Sequence, residues 1–253
     1  MMSASGRGMD GPHQRDPVRG PSPLGGVAAV LEQWVLDRLP DESRAWLERA
    51  LGGVRAAGPG GRDFAAAWSS GGRRLGRAAL VLDEHDTRAL VNDHATFIPA
   101  GWGTDELGRA LLLLAATEGR PPDLLPPLVE DLYRKGEMRE QQALMRVLGY
   151  LPDPGAYAGL AAEAVRSNVV SVVEALACDN PFPAAYMDGL AFSQMVLKVV
   201  FNGLPLARIV GLPARVDTEL GRMAQAFIRE RRAAGRTVSQ DLHELIDLTN
   251  RRS

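Results

Sequence analysis

The sequence of 253 residues contains one cysteine, and aromatic residues make up only 6% of it. A lone cysteine, Cys178, excludes an intramolecular disulfide and a CxxC metal site. It lies in an apolar helical segment, where a free cysteine is usually a small buried hydrophobic residue. No histidine is close to it in sequence, and the carboxylate of Asp179 would raise the pKa of its thiol. The pattern therefore favours a structural cysteine over a catalytic thiol.

A strong excess of charge of one sign is also lacking, because the formal net charge is -2. Such a chain lacks the electrostatic attraction that non-specific nucleic-acid binding requires, so we expect no nucleic-acid partner. We interpret the arginine runs at 73–77 and 229–236 as solvated helix faces. No apolar run is long enough to cross a bilayer, and the first residues lack the apolar core of a signal peptide. The expected location is the cytoplasm.

Recognised catalytic and cofactor motifs are absent from the sequence. There is no GxxxxGK[ST] phosphate loop, no GxGxxG after a strand, no GxSxG and no HExxH. The nearest approach to a metal cluster has a spacing that matches no known ligand set and is typical of polar turns. Its members are Asp83, His85, Asp86, Asp93 and His94. The sequence therefore predicts no metal and no cofactor, and it leaves open whether the chain is an enzyme.

Helical periodicity dominates the chain from Val27 onward. Residues 1–26 are rich in Gly and Pro and have no periodic apolar positions, which predicts a disordered tail. Residues 27–253 then form a single helical domain. Short Gly- and Pro-containing breaks separate its helices, so consecutive helices should pack as antiparallel neighbours. Because helix pairs recur without a legible repeat consensus, we predict an all-α fold, an irregular α-α superhelix or solenoid-like stack of antiparallel helix pairs.

Three helix ends carry sequence signals. Thr104 is a candidate N-cap, and Asp105 and Glu106 follow it, where carboxylates meet the positive end of the helix dipole. Farther along, Asp217 is a candidate N-cap and Gly235 a candidate C′ residue of one long helix.

The polar residues most suggestive of a site lie between Arg166 and Asn202. Gln194, Lys198 and Asn202 recur every four residues and form one polar stripe on an otherwise apolar helix. This stripe is either a solvated face or the lining of a cavity; the second interpretation rests on the remaining face, which is too apolar and too wide for an ordinary surface helix. Glu174 lies among Val and Ala, where a charge is paired or functional. The predicted ligand-binding residues are Arg166, Asn168, Glu174, Asp179, Asn180, Gln194, Lys198 and Asn202.

The charges in this region lead to a specific hypothesis. Glu174 and Lys198 should face the same partly buried space, because opposite charges carried inward by adjacent helices stabilise each other. Asp179, Asn180 and Gln194 should surround them. For a functional role, a pocket has to open beside these residues.

Two short segments in the same region are distinctive: residues 179–183, Asp-Asn-Pro-Phe-Pro, and residues 194–198, Gln-Met-Val-Leu-Lys. These two segments are the most specific part of a resemblance to the EboA family of bacterial metabolite gene clusters, which extends over roughly residues 64–246. The other matching segments are 68–69, 73–76, 101–114, 166–168, 174–186, 191–198, 209–212 and 230–236. Cys178 and Ser193 depart from the residues that are commoner in the family, which argues against a role for the thiol.

The resemblance implies participation in making, moving or exporting a small-molecule metabolite. Genes of this family lie in clusters that also encode a prenyltransferase-like membrane protein and several enzyme-like proteins. The implied partners are therefore the metabolite and other proteins of the cluster, including that membrane protein. The resemblance transfers no catalytic residue. Two interpretations stay open: a helical binding or scaffold protein, and an enzyme of unrecognised type acting on the metabolite in an apolar helical cavity. A nucleic-acid-binding helical repeat is disfavoured by the near-neutral charge.

Overall fold

The computed structural model describes residues 25–81 and 101–251, and that part of the chain consists of helices joined by turns. It contains no β-strand; Ala79 and Gly103 form an isolated antiparallel bridge. The prediction of an all-α fold is therefore confirmed. Over the same residues, no helix has the length and apolar character needed to cross a membrane. The histidine and aspartate positions considered above as metal ligands, and residues 1–24, lie outside the described residues.

The described α-helices are numbered in chain order. They are α1 Gly25–Arg38, α2 Asp41–Ala57, α3 Arg62–Leu75, α4 Thr104–Thr117, α5 Leu125–Lys135, α6 Met138–Val147, α7 Ala158–Val165, α8 Val170–Ala177, α9 Phe182–Tyr186, α10 Gly189–Phe201, α11 Leu212–Arg215, α12 Thr218–Ala233 and α13 Gln240–Asn250. Short 3-10 turns precede α5 and α7, follow α6, and lie between α10 and α11.

The helices pack in a stack that follows the chain. Helices α4, α6, α8, α10 and α12 contact one another in succession, and α13 packs on α12. Helices α1, α2 and α3 surround α4, whereas α5 lies against α6, and α7 lies against α8 and α10. In α4, every residue from 104 to 116 is buried, which explains its run of four consecutive leucines. This arrangement places α10 late in the stack, with α12 as its next neighbour.

The N-terminus of α4 differs from the prediction. Its N-cap is Gly103, so the prediction of Thr104 as the N-cap was wrong. The Thr104 hydroxyl donates instead to the carbonyl oxygen of Leu75, at 3.0 Å, which ties α4 to the end of α3. The backbone N–H of Gly103 donates to Glu106 Oε2 at 2.7 Å, so the Glu106 side chain satisfies this donor at the start of the helix.

The ends of α12 agree with the sequence signals. Asp217 is the N-cap, and its Oδ1 accepts a hydrogen bond of 2.8 Å from the backbone N–H of Leu220. Gly235 follows the last turn with φ of 65°, the left-handed conformation that glycine adopts without strain. At the start of the described chain, α1 begins at Gly25, two residues before the predicted domain boundary.

A buried ionic network joins α4 to α6. Asp105 is fully buried, and its Oδ2 accepts from Arg109 Nη1 at 3.0 Å and from Arg139 Nε at 3.1 Å. Its Oδ1 accepts from Arg139 Nη2. Burial lowers the pKa of Arg139, but the hydrogen bond to Asp105 and nearby carboxylates outweigh that effect, so its pKa is raised.

The neighbouring carboxylate in this network is Glu106, which is also buried. Its Oε1 accepts from Arg146 Nε at 3.4 Å, and Arg146 lies over the ring of Trp102, 5.8 Å from the ring centroid. The two carboxylates therefore do more than complement the helix dipole: they hold the arginines of α6 against α4. Because each is hydrogen bonded, we interpret the network as structural.

Candidate functional site

The structure places Glu174 and Asp179 together, and it joins them through a residue that the sequence did not single out. Arg208 Nη1 donates to Glu174 Oε1 at 2.5 Å, and Arg208 Nη2 lies 2.7 Å from Asp179 Oδ2. The side chains of the three residues are 22–32% exposed. Arg208 follows α10, and its carbonyl oxygen also accepts from the backbone N–H of Asp179, at 2.8 Å. This cluster fixes the turn after α8 onto the turn after α10.

Electrostatics in this cluster argue against a reactive thiol nearby. Burial lowers the pKa of Arg208, but its hydrogen bonds to Glu174 and Asp179 outweigh burial and raise the pKa well above its usual value. Burial raises the pKa of the adjacent Cys178 thiol to about 11, against a partial opposing effect of Arg208. A thiol held protonated at neutral pH is a poor nucleophile.

Asn180 has a structural role. It is buried, and its Nδ2 donates to the carbonyl oxygens of Met145 at 2.9 Å and Ala175 at 3.1 Å. Its Oδ1 accepts from the backbone N–H of Phe182 at 3.0 Å. These bonds use both amide hydrogens and the oxygen, so Asn180 has no donor left for a ligand. The Asp-Asn-Pro-Phe-Pro segment is thus a turn locked onto α6 and α8, and Asp179 occupies it with a left-handed φ of 52°.

Arg166 and Asn168 lie apart from these residues. Both are exposed in the turn between α7 and α8. In the described part of the chain, no carboxylate lies within ion-pair distance of Arg166. The structure does not bring these two residues to the cluster around Arg208 through any hydrogen bond or ion pair.

The α10 stripe is the remaining part of the predicted site. Gln194 is exposed and Lys198 is half-buried. Asn202 is the C-cap of α10, and its Nδ2 is buried with no hydrogen-bond partner among the described residues. Across residues 25–81 and 101–251, no carboxylate lies within 4.0 Å of Lys198 Nζ. The hypothesis that Glu174 pairs with Lys198 was therefore wrong: Glu174 pairs with Arg208, which reaches it from beyond the end of α10.

A groove opens beside Lys198, between α10 and α12, with a volume of about 470 Å³. Its α10 wall consists of Gln194, Leu197, Lys198 and Phe201. Phe201, the last residue of α10, is a large apolar residue and yet is 58% exposed. The Lys198 Nζ atom lies 5.8 Å from the centroid of the Phe201 ring, so the ammonium group lies at the edge of an apolar surface.

Helix α12 supplies the opposite wall, with Arg222, Met223, Ala226, Phe227 and Glu230. Met223, Phe227 and Glu230 are spaced four and three apart, so they share one helical face. Across the groove, the centroid of the Phe227 ring lies 6.4 Å from that of Phe201, with an angle of 45° between the rings. The floor is therefore aromatic and the rim is charged.

Two other depressions on the surface are smaller. One, of about 320 Å³, lies between α2 and α3 and includes Trp46 and Asp63. The other, of about 220 Å³, lies where α3 meets α5 and α6, and it includes Trp68 and Glu140. Neither contains a residue from the predicted set, whereas the α10–α12 groove contains Gln194 and Lys198. The groove is therefore the best candidate site.

Sequence reasoning found the α10 side of the groove and missed the α12 side. Val216, Leu220, Met223 and Phe227 recur at spacings of four and three, a pattern typical of a buried helix face. Val216 and Leu220 are buried, but Met223 and Phe227 are only half-buried because they lie at the groove. The available signal was Glu230 on the same face, since a carboxylate one turn after Phe227 indicates that the stripe reaches solvent.

The fold and this groove define the chain as an all-α stack of helices with an amphipathic groove near its C-terminal end. A family described as "Metabolite traffic protein EboA" matches residues 27–247. The chain therefore belongs to the EboA family. No curated protein and no solved structure matches the chain.

Proposed function

We propose that this chain is a non-catalytic, cytoplasmic binding protein of the EboA family, which holds a small-molecule metabolite in the α10–α12 groove during its biosynthesis, traffic or export. The family description names metabolite traffic, and the proposal adds the place and mode of binding. In this role, the protein hands the metabolite to other proteins of its gene cluster, including the prenyltransferase-like membrane protein.

The observation that carries the proposal is an apolar surface left open to solvent. Phe201 is 58% exposed and faces Phe227 across the groove. Apolar aromatic surface in contact with water is unfavourable by roughly 25 cal/mol per Å², so a ligand that covers these rings gains free energy. The groove volume of about 470 Å³ lies within the ~300–1,000 Å³ range of small-molecule sites.

The arrangement of titratable groups favours binding over catalysis. General acid–base chemistry needs acid and base groups positioned together at the reacting atoms of the substrate. In the groove, the Arg222 guanidinium is paired with Glu219 at 2.6 Å, and Lys198 and Glu230, unpaired among the described residues, lie on opposite walls. The cluster around Arg208 and the network around Asp105 are ion-paired, and the Cys178 thiol is buried. The groove thus offers shape, apolar contact and charge for recognition.

The test is to block the groove and measure the metabolite that the protein retains. Ala226 is half-buried on the α12 wall, so Ala226→Trp places an indole ring in the groove. Ala233→Trp is the matched control, because Ala233 is exposed in the last turn of the same helix, outside the groove lining. Both variants and the parent protein are purified from the cells that encode it, and the bound small molecules are extracted and quantified by mass spectrometry.

We expect a metabolite that copurifies with the parent protein and with Ala233→Trp, and that falls at least about tenfold in Ala226→Trp. Equal melting temperatures of the two variants would show that the loss is local. Equal retention by all three proteins would refute the groove as the binding site. Chemical conversion of the recovered metabolite on incubation with the purified protein would instead favour the enzyme interpretation.

A further inference from the structure

We infer that the ligand of the α10–α12 groove is a small amphipathic anion: a flat apolar ring system that lies on Phe201 and Phe227, with a carboxylate, sulfonate or phosphate group bound by Lys198. This inference rests on the proposed function of the groove, and it adds the chemical class of the ligand.

The anion-binding part of the inference comes from Lys198. The side chain is half-buried, and the described chain places no carboxylate within 4.0 Å of its Nζ atom. The contact that the structure gives this ammonium group is the Phe201 ring, at 5.8 Å from the centroid. Removing a cation partly from water without a carboxylate partner is costly, and an anionic ligand would supply the missing partner.

The position of Gln194 supports the same assignment. It lies one turn before Lys198 on the same face of α10 and is exposed at the groove. Its amide N–H groups are available to an anionic oxygen that Lys198 also binds. Together, the two side chains form a short polar edge along one side of an aromatic floor.

The charges on the α12 side leave Lys198 without an ion-pair partner in the described chain. Arg222 is neutralised by Glu219, which accepts at 2.8 Å and 2.6 Å. Glu230 is the carboxylate among the groove residues; it is exposed and forms no ion pair with Lys198. Lys198 is therefore the groove cation that an anionic ligand can pair with.

The aromatic floor sets the shape of the apolar part. The Phe201 and Phe227 rings have centroids 6.4 Å apart and planes inclined by 45°, so they form a tilted aromatic pair whose Phe201 side is open to solvent. A planar ring stacks on such faces at low entropic cost, and Met223 at the base is a polarizable neighbour that adapts to its edge.

Three probes that share one ring and differ in charge test the inference: naphthalenesulfonate, the neutral naphthalenemethanol and naphthylmethylammonium. Binding to the full chain is followed by NMR of isotope-labelled methionine methyl groups. Met223 lines the groove and reports occupancy there, whereas Met138 begins α6, is exposed, and serves as the internal control.

We expect naphthalenesulfonate to shift the Met223 signal and to bind with an affinity about five- to tenfold higher than that of the alcohol. This is the gain expected from a charge-assisted hydrogen bond. The ammonium probe should bind most weakly. Lys198→Met keeps the aliphatic stem and should lower the affinity for the sulfonate to that for the alcohol, and Lys198→Arg should retain the preference. Glu230→Gln should strengthen sulfonate binding two- to threefold, roughly, because it removes a repulsive charge at the rim.

Three outcomes would overturn the inference, and they separate it from the proposed function. Equal affinities of the three probes would refute the anionic ligand and leave the groove as a binding site. Shifts of Met138 without shifts of Met223 would refute both. Sedimentation with phosphatidylglycerol vesicles that is lost in Lys198→Met would assign the charged edge to a membrane surface instead of a free small anion.

Discussion

The buried network between α4 and α6 makes the strongest prediction about stability. Asp105 is 0% exposed and holds both Arg109 and Arg139, so Asp105→Ala leaves two guanidinium groups without that carboxylate. Removing one partner of a buried ion pair costs roughly 3–5 kcal/mol. Asp105 also lies in the first turn of α4, where a carboxylate contributes about 0.3–1 kcal/mol through the helix dipole.

Some of this loss is offset by the surroundings. Arg139 is 24% exposed and keeps Gln142 Oε1 at 3.1 Å and Glu106 Oε1 at 3.6 Å, so it regains water and retains two partners. Arg109 is 4% exposed and is less able to regain water, although its Nε keeps the carbonyl oxygen of Trp68 at 3.2 Å and its Nη2 lies 3.9 Å from Glu140 Oε1. We therefore expect a net loss of about 3–4 kcal/mol, a large part of the ~5–15 kcal/mol that stabilises a typical domain.

The measurement is urea denaturation followed by far-ultraviolet circular dichroism. The control is Asp131→Ala, which breaks an ion pair with Lys135 at 2.7 Å on α5, where the Asp131 side chain is 54% exposed. That change should cost no more than ~0.5 kcal/mol. A second variant, Asp105→Asn combined with Arg109→Met, should recover part of the loss. If Asp105→Ala cost no more than Asp131→Ala, the interpretation of the network as a buried structural device would be refuted.

Three further predictions concern the turn after α8. Asn180→Ala should lower the free energy of unfolding by roughly 2–3 kcal/mol, because it leaves buried backbone groups without partners. Urea denaturation measures this change, and an unchanged free energy of unfolding would contradict the structural role of Asn180. Arg208→Met should cost about 1–2 kcal/mol, between the values for exposed and buried pairs, since Glu174 and Asp179 are partly exposed; a cost above that of Asp105→Ala would be inconsistent with this. Cys178 should resist iodoacetamide in the native protein at neutral pH. The pKa of its thiol rises from 9.0 in the unfolded chain to about 11 in the folded chain, so the unfolded chain loses the proton first as the pH is raised. The free energy of unfolding should therefore fall between these two pH values by up to about 2–3 kcal/mol. In Cys178→Ala this part of the loss of stability at alkaline pH should disappear.

The helices were predictable because their information is local. Apolar residues at spacings of three and four identify a buried face whichever helices cover it, and Asp217 caps α12 through a bond to a residue three positions away. The predicted cap at Thr104 failed because Gly103 is the N-cap and Thr104 is already helical, with its hydroxyl directed to the Leu75 carbonyl at the end of α3. Such a partner lies 29 residues away in sequence and leaves no local signature.

The candidate site was only half predictable for the same reason. The polar stripe on α10 is a property of one helix, and its two exposed or half-buried members, Gln194 and Lys198, do lie at a groove. The partner of Glu174, however, is Arg208, which is 34 residues away and follows α10. Charge and spacing within the helices carry no information about this contact, so they predicted the wrong partner, Lys198. The wide apolar face of α10 is explained by its packing on α7, α8 and α12 at once.

The most direct measurement of the central claim uses the metabolite itself. Once the molecule that copurifies with the protein is recovered, it can be titrated back into the ligand-free chain while the methionine methyl signals are recorded. We predict that the Met223 signal shifts and saturates, that Met138 stays unchanged, and that Ala226→Trp abolishes the shift while Ala233→Trp preserves it. Saturable binding that leaves Met223 unmoved, or that survives Ala226→Trp, would contradict the assignment of the α10–α12 groove as the metabolite site.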